Sequence, residues 1–417
     1  VQLPLTQPGA EISAAERFEG VTLDPGQRRA VELGLRGGVV IITGGPGTGK
    51  TTLLRILLRV IRERGQEWKL ASPTGRASRR LEEATGLPAS TLHRLLEFRP
   101  GEGGFQRNFA NPIEGDGLVI DEVSMVDIQL MKAVIEALPY TDQGFPLVLV
   151  GDADQLPSVG PGQVLRDLID SGTIEVCRLS TIHRQGADSG IIEGAAAIQR
   201  GEIPRSGESS GASDLFLLDR DDADAARATL VKVVTERLPA RGFTDVQVLA
   251  PTRRGKLGTE GLNQLLQETL NSGSPGLKRG DKEYRVRDRV ICTRNRYDVE
   301  IFNGDIGRVL KIDKGELVID FDGREVQWSR DDLGLLDLAY AITVHKSQGS
   351  EYPAVVLALH SSHGIMLRRN LFYTGLTRAR EFLCVIGTQR AWWRAVQQVG
   401  GDERHTALAE RLRLKEV

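Results

Sequence analysis

Gly44 to Thr51 read GGPGTGKT, a loop of the spacing G-x-x-x-x-G-K-[ST], and Thr52 follows directly. Such a loop turns backbone N–H groups toward phosphate oxygens, and the helix that it opens adds partial positive charge. Gly45, Gly47, Thr48, Gly49, Lys50, Thr51 and Thr52 are therefore the candidate phosphate cradle. Within it Lys50 would reach the β- and γ-phosphates, and the Thr51 hydroxyl would ligate Mg²⁺. Asp121 and Glu122 follow the apolar run LVI. Such a pair suits Asp121 to the magnesium shell and Glu122 to polarising an attacking water. Gln155, in VGDADQLPSVG, stands a few residues past the apolar run LVLV, where an amide can sense a γ-phosphate. Arg184 in STIHRQ and Arg378 in YTGLTRAR are planar cations suited to charge developing on a transferring phosphoryl group. Each alone would pass for a solvated arginine. If both reach one γ-phosphate, the nucleotide lies between two domains. Gln27, in LDPGQRRAV, reads as an amide for the adenine edge or as a surface glutamine. The expected cofactors are ATP and Mg²⁺.

Elements must hold these groups in place. From Val21 to about Leu179 the apolar runs VVIITGG (39–45), GLVIDE (117–122) and LVLVGD (147–152) alternate with helical periodicity, as in TTLLRILLRVIRERG (51–65) and VDIQLMKAVIEAL (126–138). Continuous apolar strands alternating with helices imply an α/β fold, a parallel sheet covered on both faces. A second α/β region begins near Thr181, with VQVLAP (246–251), PAVVLAL (353–359) and FLCVIG (382–387) as strands and GLNQLLQETL (261–270) as a helix. Arg378 is expected to open a helical turn there. From Asp281 to Leu336 short strands alternate with Gly or Asp turns, the texture of a small inserted antiparallel barrel. A stretch from Leu96 to Asp116 carries GEGG (101–104), which reads as a hairpin turn or equally as a plain surface loop.

At 417 residues, 40% hydrophobic and 26% charged, the chain has room for two or three globular domains and reads as soluble. No apolar run approaches the ~20 residues of a membrane span, no leader segment is evident, and a cytoplasmic setting is expected. The first residue is Val, which fits a numbering that begins inside a longer chain. Cys177, Cys292 and Cys384 lack paired spacing and read as buried thiols in a reducing compartment. A net charge of −2 leaves nucleic-acid binding to local basic patches. Lys278, Arg279, Lys282, Arg285, Arg287 and Arg289 form one candidate patch, which reads equally as a solvated face.

With these residues in order, the chain resembles a RecD-like superfamily 1 DNA helicase of the stand-alone type. The resemblance runs from Leu23 onward through GGPGTGKTT, ASPTGRA (71–77), STLHRLL (90–96), VIDEVSM (119–125), GDADQLPSVG, IHRQ, VLAPTRRG (248–255), RNRYDVEIFNGDIG (294–307), YAITVHKSQGSEY (340–352) and LFYTGLTRAR (371–380). It implies two RecA-like P-loop NTPase domains, with an inserted SH3-like β-barrel and a short pin-like hairpin. The expected boundaries are 1–180 for the first domain with its insertion at 96–116, 181–280 and 337–417 for the second, and 281–336 for the barrel. It further implies 5′ to 3′ movement on single-stranded DNA and unwinding of duplex with a 5′ tail, by a monomeric motor. Gln155 resembles the γ-phosphate sensor, Arg184 and Arg378 the two arginine fingers. Gly349 and Glu351 match positions facing phosphates and ribose. Pro73, Thr74, Thr91 and His93 match strand contacts in the first domain. Thr252, Arg253, Asn303, Thr343, His345 and Lys346 match strand contacts in the second. Hydroxyls, amides and cations suit a phosphate backbone, while His93 and His345 read alternatively as partly buried histidines. The family's stand-alone members carry a further N-terminal region, and only about twenty residues precede Leu23 here. RNA-directed relatives, RecD-like subunits of a helicase–nuclease complex and simpler P-loop kinases are the competing classes.

Overall fold

Aliphatic runs without polar alternation form strands buried on both faces, and two such sheets organise the chain. The computed structural model describes residues 8–141, 144–183, 189–207, 214–296, 298–399, 404 and 406–414. Contacts divide it into Val1–Gln185 with Asp402–Val417, and Gly186–Gly401.

The first unit contains α1 (Pro8–Glu19), α2 (Pro25–Arg36), β1 (Val39–Gly44), α3 (Lys50–Glu63), β2 (Trp68–Ser72), α4 (Gly75–Thr85), β3 (Ala89–Thr91), α5 (Leu92–Leu95), β4 (Phe98–Arg99), β5 (Gly104–Phe105), β6 (Gly117–Ile120), α6 (Ile128–Glu136), β7 (Leu147–Gly151), α7 (Val164–Ser171) and β8 (Glu175–Leu179). Its sheet has the order β3-β2-β6-β7-β1-β8, every neighbouring pair parallel. Side chains alternate across a strand, so Val40 and Ile42 enter one core with Leu53, Leu54 and Leu57 of α3. Ile41 enters the opposite core with Leu118, Ile120 and Leu149. Truncating a residue such as Leu57, 0% exposed, would cost about 2–5 kcal/mol. Parallel strands bring their carboxyl ends to one edge, where the loops after β1, β2, β3, β6 and β7 all open. The stretch 96–116 does form a hairpin: Phe98 pairs with Phe105 and Arg99 with Gly104. Gly103 and Gly104 turn it with φ of 87° and 99°, which other side chains rarely adopt.

The second unit contains α8 (Gly190–Arg200), β9 (Leu215–Asp219), α9 (Ala223–Lys232), β10 (Val246–Ala250), α10 (Thr259–Leu270), β11 (Gly276–Arg279), β12 (Lys282–Arg285), β13 (Arg289–Cys292), β14 (Ile306–Asp313), β15 (Glu316–Phe321), β16 (Arg324–Trp328), β17 (Leu336–Leu338), β18 (Ala341–Thr343), β19 (Tyr352–Leu359), α11 (Arg369–Leu376), β20 (Ala379–Gly387) and α12 (Gln389–Gln397). Its parallel sheet has the order β18-β10-β19-β20-β9. The insertion is a five-stranded antiparallel sheet, β16-β15-β14-β13-β17, around Tyr284, Ile319, Phe321 and Trp328. A boundary at 281 cuts the separate hairpin β11–β12, which turns through Gly280 and Asp281. Asp288 joins the insertion to α10. Fully buried, its carboxylate accepts from Gln267 Nε2 at 2.5 Å, Asn271 Nδ2 at 2.6 Å and Tyr340 Oη at 2.8 Å.

The C-terminal residues differ from the expected assignment to the second domain. α13 (Leu408–Arg413) lies on α7, with Leu408 and Leu412 packed against the core of the first unit. The three cysteines are free and buried. Among the described residues no helix is long and apolar enough to cross a membrane.

Candidate active site

Between β1 and α3 the loop turns through Gly47 and Gly49, at φ of 75° and 73°. At Gly49 an added Cβ would lie 2.3 Å from Gln27 Nε2, so both the φ and the space require glycine. Lys50 Nζ donates to the carbonyls of Gly44 at 2.6 Å and Gly45 at 2.9 Å, and Thr48 Oγ1 donates to Gly45 O at 2.8 Å. Gln27 is buried rather than on the surface. Its Nε2 donates to Thr48 O at 3.0 Å and its Oε1 accepts from Asp24 N at 3.0 Å, joining the N-terminus of α2 to the loop.

Asp121 and Glu122 leave β6 at the same edge. Burial, then the adjacent Glu122 carboxylate, pushes the Asp121 pKa up to about 6 against the pull of Lys50 and Arg80. Glu122 sits in the left-handed region at φ 55°, a strained conformation of the kind that gathers at functional sites. Past β7, Asp152 is 2% exposed and burial raises its pKa, an effect that Lys50 opposes. Asp152 Oδ2 accepts from Gln155 Nε2 at 3.2 Å, while the buried Gln155 carbonyl oxygen has no hydrogen-bond partner among the described residues. The amide is thus held at its nitrogen and keeps its acceptor for an incoming group.

Sequence reasoning assigned no role to Asp152, Asp24 or His183. Asp152 had a local signal, an aspartate followed three residues later by an amide in one loop. Asp24 carried the helix-start pattern D-P-G-Q, but nothing local marked its partner His183, because a distant segment completes that contact. His183 N donates to Gly47 O at 2.8 Å, and its ring meets the Asp24 carboxylate at 2.5 Å. Burial opposes charge on Asp24, but bonds from the backbone of Gln27, the His183 ring and the backbone of Gly26 hold its pKa below the usual value. Arg184, one residue beyond His183, lies outside the described residues.

The strand-contact candidates of the first unit use the same edge. Pro73 and Thr74 follow β2; Thr91 ends β3 and His93 lies in α5. Both threonines cap helices, Thr74 accepting from Ala77 N at 3.3 Å and Thr91 from Arg94 N at 3.2 Å. Half-buried His93 packs edge-on to Phe98 of the hairpin at 5.5 Å, and burial lowers its pKa.

In the second unit the two sets separate. Thr252 and Arg253 follow β10 and Thr343 ends its neighbour β18, with Ala250 paired to Thr343, so these meet His345 and Lys346 at the carboxyl edge. Arg253, Thr343 and Lys346 line one cleft of about 680 Å³ with the β11–β12 hairpin. Lys278, Lys282 and Arg285 there face Glu260, Glu268, Glu283 and Asp337. Asp337 pairs with Lys282 and lies 3.6 Å from Lys346, and Arg285 is held by Glu268 and Glu283. Burial lowers the pKa of Lys346 and of His345. Much of the candidate basic patch is therefore engaged in ion pairs. Asn303 is exposed in the loop before β14, apart from the cleft lining.

Gly349, Glu351 and Arg378 gather instead where β19 and β20 begin. Arg378 closes α11 and enters β20 rather than opening a helical turn, because its backbone continues into the pairing of Ala379 with Tyr352. It is 3% exposed, with Nη1 on Ser350 O at 3.0 Å, Nε on Thr374 O at 3.0 Å and Nη2 on Thr377 Oγ1 at 3.2 Å. Gly349 has φ 71°.

Family profiles described as AAA domain, ATP-dependent RecD-like DNA helicase SH3 domain and UvrD-like helicase C-terminal domain match residues 27–161, 262–321 and 338–386. A solved Pif1 helicase from Bacteroides, in complex with ADP-AlF3 and ssDNA, matches with a TM-score of 0.59 and 19% identity over 95% of this chain and 98% of that one. Fold and site together define a helicase of the RecA-like P-loop class with an SH3 domain. An ATP-dependent RecD2 DNA helicase from Deinococcus radiodurans is 41% identical over 90% of this chain, which spans 50% of that relative's length. The RecBCD enzyme subunit RecD of Mycolicibacterium smegmatis is 32% identical over 98% of this chain and 78% of the subunit, and that of Mycobacterium tuberculosis 35% over 87% and 69%. The chain belongs to the RecD-like family of helicases.

Proposed function

We propose that this chain is an ATP-dependent DNA motor that moves 5′ to 3′ along a single strand and unwinds duplex ahead of it. The observation that carries the reading is the shared carboxyl edge of the first sheet, where the phosphate loop, Asp121, Glu122 and Gln155 stand beside Thr74, Thr91 and His93. Lys50 and the loop N–H groups bind the phosphates. The donor set fits a hard cation: the Thr51 hydroxyl and the Asp121 carboxylate would hold Mg²⁺, with Lys50 easing the charge on Asp121. When bound, that ion would neutralise phosphate oxygens during transfer. Glu122 takes the proton of the attacking water, and the Gln155 acceptor orients that water. Arg184 and Arg378 offset charge on the γ-phosphate. The Phe98–Phe105 hairpin blocks the complementary strand, while Thr252, Thr343, His345 and Lys346 grip the translocating one.

Strand displacement on 5′-tailed and 3′-tailed duplexes tests this reading. Unwinding of the 5′-tailed duplex alone is expected; inactivity on both, despite DNA-stimulated hydrolysis, would reduce the protein to a translocase. Stimulation by RNA strands equal to that by DNA would favour an RNA-directed motor. The 78% coverage of the mycolicibacterial RecD favours a second reading, a subunit that needs partners. Unwinding by the purified chain at the mass of a monomer would set that reading aside.

A further inference from the structure

The loop that carries Gln155 continues LPSVGPG, and its two prolines remove N–H donors where several carbonyls must turn inward. The carbonyls of Ser158, Gly160 and Gly162 converge on one atom, Arg404 Nη1, at 2.8, 2.6 and 2.9 Å. Ser158 Oγ adds bonds to Gly160 O at 3.1 Å and Gly162 O at 3.3 Å, and itself lies 3.4 Å from the same nitrogen. The closed loop is wedged against the start of α6, which follows the acidic pair through one turn. Ile128 N donates to Pro161 O at 2.9 Å, and a Cβ on Gly160 would stand 2.0 Å from the Asp127 carboxylate. Arg404 is anchored from behind, with Thr406 bonded to Asp167, Arg413 Nε on Ser171 O at 3.2 Å, and Leu408 and Leu412 in the core.

We infer that Arg404 is a positioning residue for the Gln155 loop, a guanidinium that holds the loop closed and thereby sets the sensor against Asp152 and the Glu122 turn. The inference rests on the proposed role of Gln155. It assigns a task to residues past the last helicase motif, since Arg404 belongs to the first unit although the chain has passed through the second. Coupling would therefore depend on this strap as well as on the motifs.

The test compares wild-type protein with Arg404→Ala and Arg404→Lys by hydrogen exchange and by ATPase assay with and without single-stranded DNA. In Arg404→Ala the amides of 156–163 should exchange about tenfold faster while the core of the first sheet keeps its protection. DNA-stimulated kcat should fall about tenfold, with basal kcat and the KM for ATP within about twofold. Arg404→Lys should fall between the two proteins, and free guanidinium ion at sub-denaturing concentration should restore part of the Ala variant's stimulation. Unchanged loop exchange would overturn the clamp. Faster loop exchange with wild-type stimulation would overturn its role in positioning the sensor, and loss of protection throughout the first unit would make Arg404 merely structural. A wild-type protein whose loop is protected but whose hydrolysis ignores DNA would instead sink the proposed function and leave the clamp standing on exchange alone.

Discussion

The two parallel sheets distribute their candidate residues in opposite ways. In the first unit the nucleotide and strand residues share one carboxyl edge, side by side in the order β3, β2, β6, β7, β1. In the second, Thr252, Arg253 and Thr343 stand at the carboxyl edge, whereas Glu351 and Arg378 precede the first residues of β19 and β20. Ala358 of β19 lies level with Ala250, six residues past Tyr352, so at about 3.3 Å per residue the two sets are roughly 20 Å apart. A signal in the first unit can pass laterally from loop to loop. Under the proposed roles, a signal in the second would have to cross the length of the sheet from the start of β19 and β20 to its carboxyl edge.

Breaking the shared edge should have the largest effect. Lys50→Ala should lower ATP hydrolysis by about 10²–10³-fold in a steady-state assay, while single-strand affinity without nucleotide stays within about twofold. A parallel collapse of strand affinity would mean that the neighbouring loops are not separable.

Acid should loosen the carboxyl edge of the second unit next. His360 and His363 follow β19; the His360 ring meets Asp221 O at 2.9 Å and the His363 ring Leu257 O at 3.3 Å, linking the loops after β9 and β10. His363 Nδ1 accepts from His360 N at 3.1 Å, and burial, the largest cause, lowers its pKa to about 4. For a base whose folded pKa is depressed, stability is full above the unfolded value near 6.5 and is lost as pH falls toward 4. The loss should be about 3 kcal/mol across that window, read as a falling Tm of the second unit, with His345 of the same unit acting in the same direction. A Tm flat from pH 7 to 4.5 would contradict the buried, neutral assignment.

The smallest effect tests the cleft. Asp337 engages both Lys282 and Lys346, so Asp337→Asn should raise single-strand affinity about threefold at low salt and steepen its salt dependence by up to about one ion. Because this cleft lies at the carboxyl edge, hydrolysis without DNA should not change. Unaltered salt dependence would remove the cleft from the strand path.

The parts legible in the sequence were those with local spacing. The phosphate loop, the acidic pair and the apolar strands β1, β6 and β7 each announce themselves within a few residues, because backbone geometry and burial on both faces fix their composition. GEGG left hairpin and loop open, and only the pairing of Phe98 with Phe105 decides between them. The β11–β12 hairpin carried a readable glycine–aspartate turn at 280–281 that the expected boundary overrode. Gln27 was ambiguous until Thr48 and Asp24 filled both ends of its amide. Arg404 could not be read at all, since its three carbonyl partners lie more than two hundred residues earlier and nothing in its neighbours marks it.

In the proposed motor Gln155 would be the relay of the shared edge: Asp152 holds its nitrogen, and its oxygen has no hydrogen-bond partner among the described residues. The most direct measurement is the ratio of ATPase rates with and without single-stranded DNA in Gln155→Ala, alongside binding of a fluorescent ADP analogue. Nucleotide affinity should stay within about twofold while the ratio falls close to one. A variant that binds nucleotide normally and keeps the full wild-type stimulation would contradict the account.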